Sequence, residues 1–281
     1  MSDAVGDTSM EPAGQRPAGG LVPVDRRHVI LERVADEQTI HVGALARELG
    51  VSEMTIRRDI RRLERDGFLR QTYGGATAHL TRSLDVAFNA RALRHPREKR
   101  LIAMCAVDLV GDARTIFIGV GTTAEQFARY LHTGPELTVV TASLPTASLL
   151  GTRPLRTIVL GGAVLRDDLT ATGPSAIASL QCYRFDVAVL GTAGVSARWG
   201  LTELSDEEAE IQRTAVGQAA RVIVLADGSK VGIAERMVVG RADEIETLVT
   251  DPSAPDAELD ALRHLGVRVV VTGSPEHAPR S

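Results

Sequence analysis

The chain has 281 residues and a formal net charge of −4, which argues against a wholly basic nucleic-acid protein but allows a local basic patch. This length suits about two domains of ~100–200 residues each. With 44% hydrophobic but only 3% aromatic residues, the core is expected to be aliphatic. No apolar run approaches the ~20 residues that span a bilayer, and the Gly/Pro-rich start is no signal peptide. We therefore expect a cytoplasmic protein with no membrane partner.

The first part of the chain predicts a small helical domain with a wing. Residues 1–22 lack periodicity and are expected to form a disordered tail, whereas residues 23–80 have the pattern of a winged helix-turn-helix. Helices are predicted over Asp25–Asp36 and Gly43–Leu49, and Gly50 supplies the sharp turn that follows.

The second helix of this motif begins after a capping serine. Ser52 is a good N-cap, and Ile56, Ile60 and Leu63 form an apolar stripe that faces the core. A two-stranded wing is predicted from two segments joined around Gly74-Gly75, namely Phe68–Thr72 and Thr77–His79.

The polar face of this helix and the wing are the candidate DNA contacts. A helix fits the major groove, where arginine contacts guanine or phosphate. The alternative is an ordinary solvated Arg/Glu face, which the helix–turn–helix–wing order disfavours. The predicted DNA-binding residues are Ser52, Glu53, Thr55, Arg57, Arg58, Arg61, Arg62, Arg70, Gly74 and Gly75.

The rest of the chain predicts an α/β domain. A polar linker is expected over 81–97, an α/β domain over 98–273 and a tail over 274–281. Helical stretches alternate with short aliphatic runs, which indicates a mostly parallel sheet covered on both faces. The runs are Thr115–Ile118, Leu137–Thr141, Thr157–Leu160, Asp186–Leu190, Val222–Ala226, Leu248–Thr250 and Val267–Val271.

A glycine-rich loop follows the first of these strands and opens a helix. Gly121, Thr122 and Thr123 there could hold an anion through helix N-terminal amides and hydroxyls. The loop also matches a dinucleotide motif, but that site needs an acid after the next strand, which ends Thr141-Ala142-Ser143. A monophosphate cradle fits better, and a plain strand-to-helix turn is the structural alternative.

Other strand ends could converge on the same pocket. Gly161, Gly194 and the Thr141–Ser143 turn follow strands, and ligands of open α/β sheets bind at strand carboxyl ends. Lys230 also follows a strand in a chain with 30 arginines and two lysines, which favours a point charge for a ligand anion. Lys99 is either a solvated helix end or a further ligand contact.

No enzyme or metal signature is evident. We expect no cofactor and no zinc, because the histidines and cysteines lack ligand spacing. Cys105 and Cys182 are expected to be buried thiols, Asp206–Glu208 to start a helix and Asp167-Asp168 to belong to a loop.

At this point the whole pattern resembles a known family. The resemblance is to DeoR-family bacterial transcription regulators and covers about residues 24–272. It is carried first by Val51-Ser52-Glu53-Met54-Thr55-Ile56-Arg57-Arg58-Asp59-Ile60 with Gly74-Gly75-Ala76, and then by Glu98-Lys99, Gly121-Thr122-Thr123, Leu160-Gly161-Gly162, Gly200-Leu201-Thr202 and Leu225-Ala226-Asp227-Gly228-Ser229-Lys230.

The resemblance implies a winged-helix domain and a sensor related in fold to ribose-phosphate isomerases and CoA transferases. It implies a homo-oligomeric repressor of carbohydrate genes that binds double-stranded operator DNA and is released by a phosphorylated sugar. Gly121, Thr122 and Thr123 would hold the phosphate and Lys230 would add positive charge. Thr141, Ser143 and Gly194 would line the sugar end.

Two departures bear on the ligand. The family usually has Asp-Ser where this chain has Gly119-Val120, and Asn where it has Ala142. Both changes remove polar groups that could contact sugar hydroxyls. The alternative functions are a phosphosugar enzyme with an accessory DNA-binding domain and a nicotinamide-binding protein, and the missing acid counts against the second.

Overall fold

A computed structural model of the chain describes residues 26–27, 29–30, 33–34, 37, 39–65, 69–78, 91–92, 94–165 and 169–273. The chain divides into two compact units, residues 1–79 and 80–281. The two predicted tails, residues 81–90 of the predicted linker, Phe68 and Asp167-Asp168 lie outside the described residues.

The first unit contains two helices and a small sheet. Its elements are β1 (Thr39–His41), α1 (Val42–Glu48), α2 (Glu53–Arg65), β2 (Leu69–Thr72) and β3 (Gly75–Ala78). The three strands are antiparallel in the order β1-β3-β2, and residues described between 26 and 37 are helical. The predicted winged helix-turn-helix is confirmed. β3 begins at Gly75, before the predicted Thr77, because Gly75 pairs with His41 of β1.

The apolar stripe of α2 forms the core of this unit. Ile56, Ile60 and Leu63 are buried together with Ile30 and Val34 of the preceding helical segment, as the periodicity predicts. Removing these aliphatic side chains from water is the main stabilising contribution to such a small unit.

An ion pair inside this unit joins the first helical segment to α2. Arg26 Nε donates to Asp59 Oδ2 at 2.6 Å, and both side chains are more than nine-tenths buried. Removing one member of a buried pair costs far more than removing an exposed one, because the remaining charge keeps its desolvation penalty.

The described residues of the second unit form twelve strands, with helices between most of them. Its helices are α3 (Pro96–Val107), α4 (Thr122–Tyr130), α5 (Leu144–Leu150), α6 (Pro174–Gln181), α7 (Asp206–Gln218) and α8 (Asp256–His264). Its strands are β4 (Thr115–Ile118), β5 (Thr138–Thr141), β6 (Arg156–Val159), β7 (Ala163–Leu165), β8 (Thr170–Thr172), β9 (Val187–Gly191), β10 (Gly194–Ser196), β11 (Gly200–Glu203), β12 (Val222–Leu225), β13 (Met237–Gly240), β14 (Thr247–Thr250) and β15 (Arg268–Val271).

Seven of these strands form one parallel sheet in the order β15-β14-β12-β9-β4-β5-β6. Alternate residues pack on opposite faces: Ile116 and Ile118 join one apolar cluster with α3 and α4, whereas Phe117 joins another with α6 and α7. The predicted parallel sheet with both faces covered is confirmed.

The strand order places a crevice beside β4. From β4 the chain adds β5 and β6 on one side, and then crosses over to add β9 and β12 on the other. Ligands of open α/β sheets bind at such a reversal, outside the carboxyl ends of the strands. β4 and β9 therefore define where a ligand site is expected.

Several features differ from the sequence predictions. A second sheet, β10-β11-β13, is antiparallel and was not predicted, nor were the hairpin β7-β8 and the helices α5 and α8. α3 begins at Pro96, inside the predicted linker.

The predicted burial of Cys182 is wrong, because this residue caps the exposed C-terminal end of α6, and Cys105 is half-buried. None of the described helices is long and apolar enough to cross a membrane.

We predict that Asp59→Ala destabilises the first unit by about 3 kcal/mol, because it breaks the buried pair with Arg26. Hydrogen exchange of the α2 amides in the full chain measures this loss of protection. Glu48→Ala is the matched control, since its ion pair with Arg33 is exposed and should be worth less than about 1 kcal/mol. Equal losses in the two variants would contradict the prediction.

Candidate DNA-binding helix and candidate effector site

The polar face of α2 is exposed and basic. Ser52 caps the helix, because its Oγ accepts the Thr55 backbone N–H at 3.2 Å, and its Oγ also lies 2.9 Å from Thr55 Oγ1. Glu53 accepts from Arg57 Nη2 at 3.0 Å, so this arginine is held along the helix. The exposed members of the face are Met54, Arg58, Arg61 and Arg62.

The wing presents a different tip from the one predicted. Arg70 is exposed on β2, and Glu64 Oε1 accepts the Gln71 backbone N–H at 2.8 Å, which ties α2 to the wing. Tyr73 and Gly74 form the exposed turn. Gly75 instead lies against β1, where a Cβ atom would come within 1.9 Å of the Ile40 carbonyl oxygen. Packing therefore explains this glycine, and Tyr73 is a tip residue that sequence reasoning missed.

The loop after β4 opens α4 beside the crevice. Gly121 caps the helix with φ of 106°, a conformation that favours glycine, and Thr122 and Thr123 are buried in its first turn. The next strand of the crevice packs closely on this loop, because a Cβ at Gly191 would lie 2.7 Å from the Val120 carbonyl oxygen. The first-turn amides of α4 and the end of β9 are thus brought together.

Thr141 and Ser143 organise the turn after β5. Thr141 Oγ1 accepts the Ser143 backbone N–H at 3.0 Å, and Ser143 Oγ accepts that of Thr146 at 3.2 Å, which caps α5. Both residues are buried. The strand ends here without a carboxylate, as the sequence indicates.

The two remaining predicted glycines are placed differently. Gly194 is buried at the start of β10, where a Cβ atom would lie 2.6 Å from the Ile233 carbonyl oxygen. Gly161 is exposed after β6, which is the edge strand and lies two strands beyond β4. The strand order therefore does not bring Gly161 to the β4–β9 crevice.

The two lysines of the chain are electrostatic neighbours. Lys99 is 5% exposed in the first turn of α3, and its Nζ donates to the Arg91 carbonyl oxygen. Burial is the main cause that lowers the pKa of Lys99 to about 8, and the nearby charge of Lys230 lowers it further. Asp227 opposes these effects. The interpretation of Lys99 as a solvated helix end is wrong.

Lys230 follows β12 in a short 3₁₀ turn. Asp227 holds this turn, because its Oδ1 accepts from the Ser229 hydroxyl and backbone N–H at 2.5 and 3.2 Å. Within the described part of the chain, the half-buried Lys230 ammonium forms no hydrogen bond or ion pair. β12 and β4 are two strands apart, a separation of about 10 Å. Lys230 therefore ends a strand at the same edge as the α4 loop.

Sequence reasoning missed a group of charged residues at this edge. Arg91 and Arg94 lower the pKa of Lys99 through their charges, although both fall in the predicted linker. Glu203 ends β11 and Glu208 lies in the first turn of α7, and burial raises the pKa of each to about 7. The acidic run at Asp206–Glu208 does begin a helix, as predicted, but its burial could not be inferred from the run itself.

The edge is therefore basic around Lys99 and acidic around Glu203. Arg91 connects the two regions, because its charge affects the pKa of Lys99, Glu203 and Glu208. An arrangement with positive charge at one end and buried carboxylates at the other suits a ligand that has an anionic group and hydrogen-bond donors. The described residues contain no group of three His, Cys, Asp or Glu that could hold a metal.

Comparison with solved structures gives only partial likeness. Ribose 5-phosphate isomerase A from Neisseria gonorrhoeae is 19% identical, covers 47% of this chain and 52% of its own, and has a TM-score of 0.34. The full-length sorbitol operon regulator SorC from Klebsiella pneumoniae is 16% identical over 85% of this chain and 98% of its own, with a TM-score of 0.38. Scores this low add nothing to the assignment.

Curated proteins of similar length are more informative. The HTH-type transcriptional repressor CsqR of Escherichia coli (strain K12) is 29% identical over 88% of this chain and 94% of its own length. The HTH-type transcriptional repressor GlcR of Bacillus subtilis (strain 168) is 29% identical over 90% of this chain and 97% of its own.

Family models match both units. The DeoR-like helix-turn-helix domain matches residues 26–81, and the DeoR C terminal sensor domain matches residues 94–252, which is more than half of the chain. With the winged helix and the parallel sheet already established, the chain belongs to the DeoR family of DNA-binding transcriptional regulators.

Proposed function

We propose that this regulator is a repressor of carbohydrate-metabolism genes that is released from operator DNA by a phosphorylated sugar. The effector proposal is supported by the position of Lys230 after β12, where its charge acts on the buried ammonium of Lys99, and by the first turn of α4 at the same edge of the sheet. Two neighbouring ammonium groups repel each other, and an anion bound between them relieves that repulsion.

The phosphate end of the effector would bind to Gly121, Thr122, Thr123, Lys99 and Lys230. Helix N-terminal amides favour anions, and the macrodipole of α4 adds to the two lysine charges. Thr141 and Ser143 would shape the neighbouring wall, because their side chains are engaged in the turn after β5.

Lys99 also gives the site a connection to the chain that precedes it. Its ammonium donates to the carbonyl of Arg91, which lies on the segment that leads back to the first unit. A bound phosphate would compete for the same ammonium. The proposed release therefore begins when the Lys99 ammonium exchanges the Arg91 carbonyl for the phosphate. It requires that the effector bind the DNA-incompetent arrangement of the protein more tightly than the DNA-competent one.

DNA would be bound by α2 and the wing. The proposed contacts are Ser52, Glu53, Thr55, Arg57, Arg58, Arg61, Arg62, Arg70 and Gly74, with Tyr73 added at the wing tip. One recognition helix contacts too few bases for genomic specificity, so a homo-oligomer on a repeated site is proposed.

The second candidate function is catalysis on a phosphosugar. It is favoured by Glu203 and Glu208, since carboxyl groups with a pKa of about 7 can exchange protons at neutral pH. We propose that the protein is not an enzyme, because its curated relatives are regulators. Assaying the full chain against a panel of sugar phosphates tests this: turnover of any of them would establish the enzyme, and no turnover supports the regulator.

We predict that Arg58→Ala weakens DNA binding about 10- to 100-fold at fixed salt, because it removes an arginine from the exposed face of α2. Fluorescence anisotropy on the promoter region beside the protein's own gene measures the affinity. On non-specific duplex DNA the salt slope should fall by about one if Arg58 contacts a phosphate.

The matched control for this experiment is Arg184→Ala, which removes an exposed arginine from the second unit. That variant should bind DNA like the wild type. If Arg58→Ala bound both DNA probes with unchanged affinity, Arg58 would not belong to the interface.

We predict that Lys230→Ala leaves DNA affinity unchanged but weakens release by sugar phosphates about 10-fold or more, the effect of losing a hydrogen bond to a charged group. The measurement is a DNA-binding titration with each sugar phosphate at constant salt, because DNA affinity falls steeply with salt. Arg184→Ala again serves as the control. Normal release from the Lys230 variant would remove this residue from the effector site.

A further inference from the structure

Three polar side chains are buried together beside the candidate effector site. Glu203 and Glu208 are each 6% exposed, and Gln212, one turn further along α7, is fully buried. Glu203 Oε1 accepts from Gln212 Nε2 at 2.8 Å and from the Ala193 backbone N–H at 3.2 Å. Since Ala193 follows β9, the group lies at the strand end that forms one side of the crevice.

Two oxygen atoms of this group have no donor. Within the described part of the chain, Glu208 Oε1 and Gln212 Oε1 are buried and accept no hydrogen bond. Buried acceptors of this kind lower stability, and in native proteins most are paired. The two unpaired acceptors lie one helix turn apart and next to the crevice. This arrangement indicates a binding site in which a ligand donates the missing hydrogen bonds.

The surrounding charge favours neutral donors over a cation. Two carboxyl groups so close to each other do not both ionise readily, and the charge of Glu203 raises the pKa of Glu208 beyond the effect of burial. Arg91 already places positive charge near both of them. The carboxyl groups therefore need no further cation to balance their charge. Hydroxyl groups, in contrast, can donate to the two unpaired oxygen atoms.

We propose that Glu208 and Gln212 form a hydroxyl-binding subsite, held in place by Glu203, that selects effectors with free hydroxyl groups at the end remote from the phosphate. This inference rests on the proposed function, because it deepens the description of the same effector site. Glu208 and Gln212 contact the ligand, and Glu203 is a positioning residue.

The subsite makes selection against deoxy sugars a direct consequence of burial. A ligand that lacks the hydroxyl leaves Glu208 Oε1 and Gln212 Oε1 buried and unpaired, so nothing compensates for the desolvation of these two atoms. A ligand with the hydroxyl in place satisfies acceptors that the free protein leaves open.

Calorimetry on the full chain tests this subsite with three probes: inorganic phosphate, a panel of sugar phosphates with their deoxy analogues, and the unphosphorylated sugars. Glu208→Gln should weaken binding of hydroxylated sugar phosphates about 10- to 100-fold and leave phosphate binding unchanged. It should also reduce the discrimination against the deoxy analogues. Glu210→Gln, an exposed change on the same helix, should behave like the wild type.

A second variant keeps the test independent of folding. Glu208→Leu should raise the melting temperature of the ligand-free protein, because it removes a buried carboxyl group that has an unpaired oxygen, and should abolish the stabilisation by sugar phosphates. The fluorescence of Trp199, the single tryptophan, reports melting of the second unit. A lower melting temperature together with intact sugar stabilisation would overturn the proposal.

The pH dependence supplies a third readout. Glu208 titrates with a raised pKa of about 7 among Glu203, Glu207 and Arg91, so protonation below pH 7 removes its charge, converts one of its oxygens into a donor and should weaken sugar binding. Inorganic phosphate is the control for titration of the phosphate itself. In Glu208→Gln, the binding of sugar phosphates and the binding of inorganic phosphate should have the same pH dependence.

The outcomes separate this inference from the proposed function. If Lys230→Ala impairs binding of sugar phosphates and Glu208→Gln does not, the subsite is wrong and the phosphosugar function stands. If only unphosphorylated sugars bind, and do so through Glu208, the subsite stands and the phosphate part of the function is wrong. Equal loss of phosphate and sugar binding in Glu208→Gln, or no binding of any probe by the wild type, overturns the subsite.

Discussion

The parallel order of the seven-stranded sheet is the constraint on which the second unit depends. Because all seven strands point the same way and the order reverses between β4 and β9, segments distant in sequence end at one edge. The Gly121–Thr123 turn, Ala193 and Lys230 meet there only through this topology. The close packing of Gly191 on Val120 then excludes larger residues from the junction. The fold therefore gathers polar groups before any ligand is considered.

Charges buried at this edge carry a stability cost that a ligand can offset. The lowered pKa of Lys99 means that its ammonium destabilises the folded chain as the pH falls through about 8. The raised pKa of Glu203 and Glu208 has the opposite dependence: stability is highest below the ordinary glutamate range and is lost as the pH rises through about 7. At neutral pH both kinds of group weaken the ligand-free fold, as is common at functional sites.

Local patterns predicted the features that local physics determines. The aliphatic runs predicted the strands of the large sheet, and the Gly121–Thr123 pattern predicted the opening of α4, because both depend on neighbours in sequence. The seven residues of α5 were too few to show helical periodicity. Burial of Glu208 depends on β11 and on Arg91, and Gly75 is explained by its contact with β1. Such tertiary neighbours have no signature in the segments concerned.

We propose that one molecule links a sugar phosphate at the strand-end edge to DNA at α2. Thermodynamic linkage makes this claim directly measurable, because two coupled ligands must weaken each other's binding by the same factor. The decisive measurement is a sugar phosphate's affinity for the full chain with and without saturating DNA, compared with DNA affinity with and without that sugar phosphate, in one buffer. We expect DNA to weaken sugar-phosphate binding and the sugar phosphate to weaken DNA binding by the same factor, which is greater than one. A sugar phosphate that binds and leaves DNA affinity unchanged would contradict it.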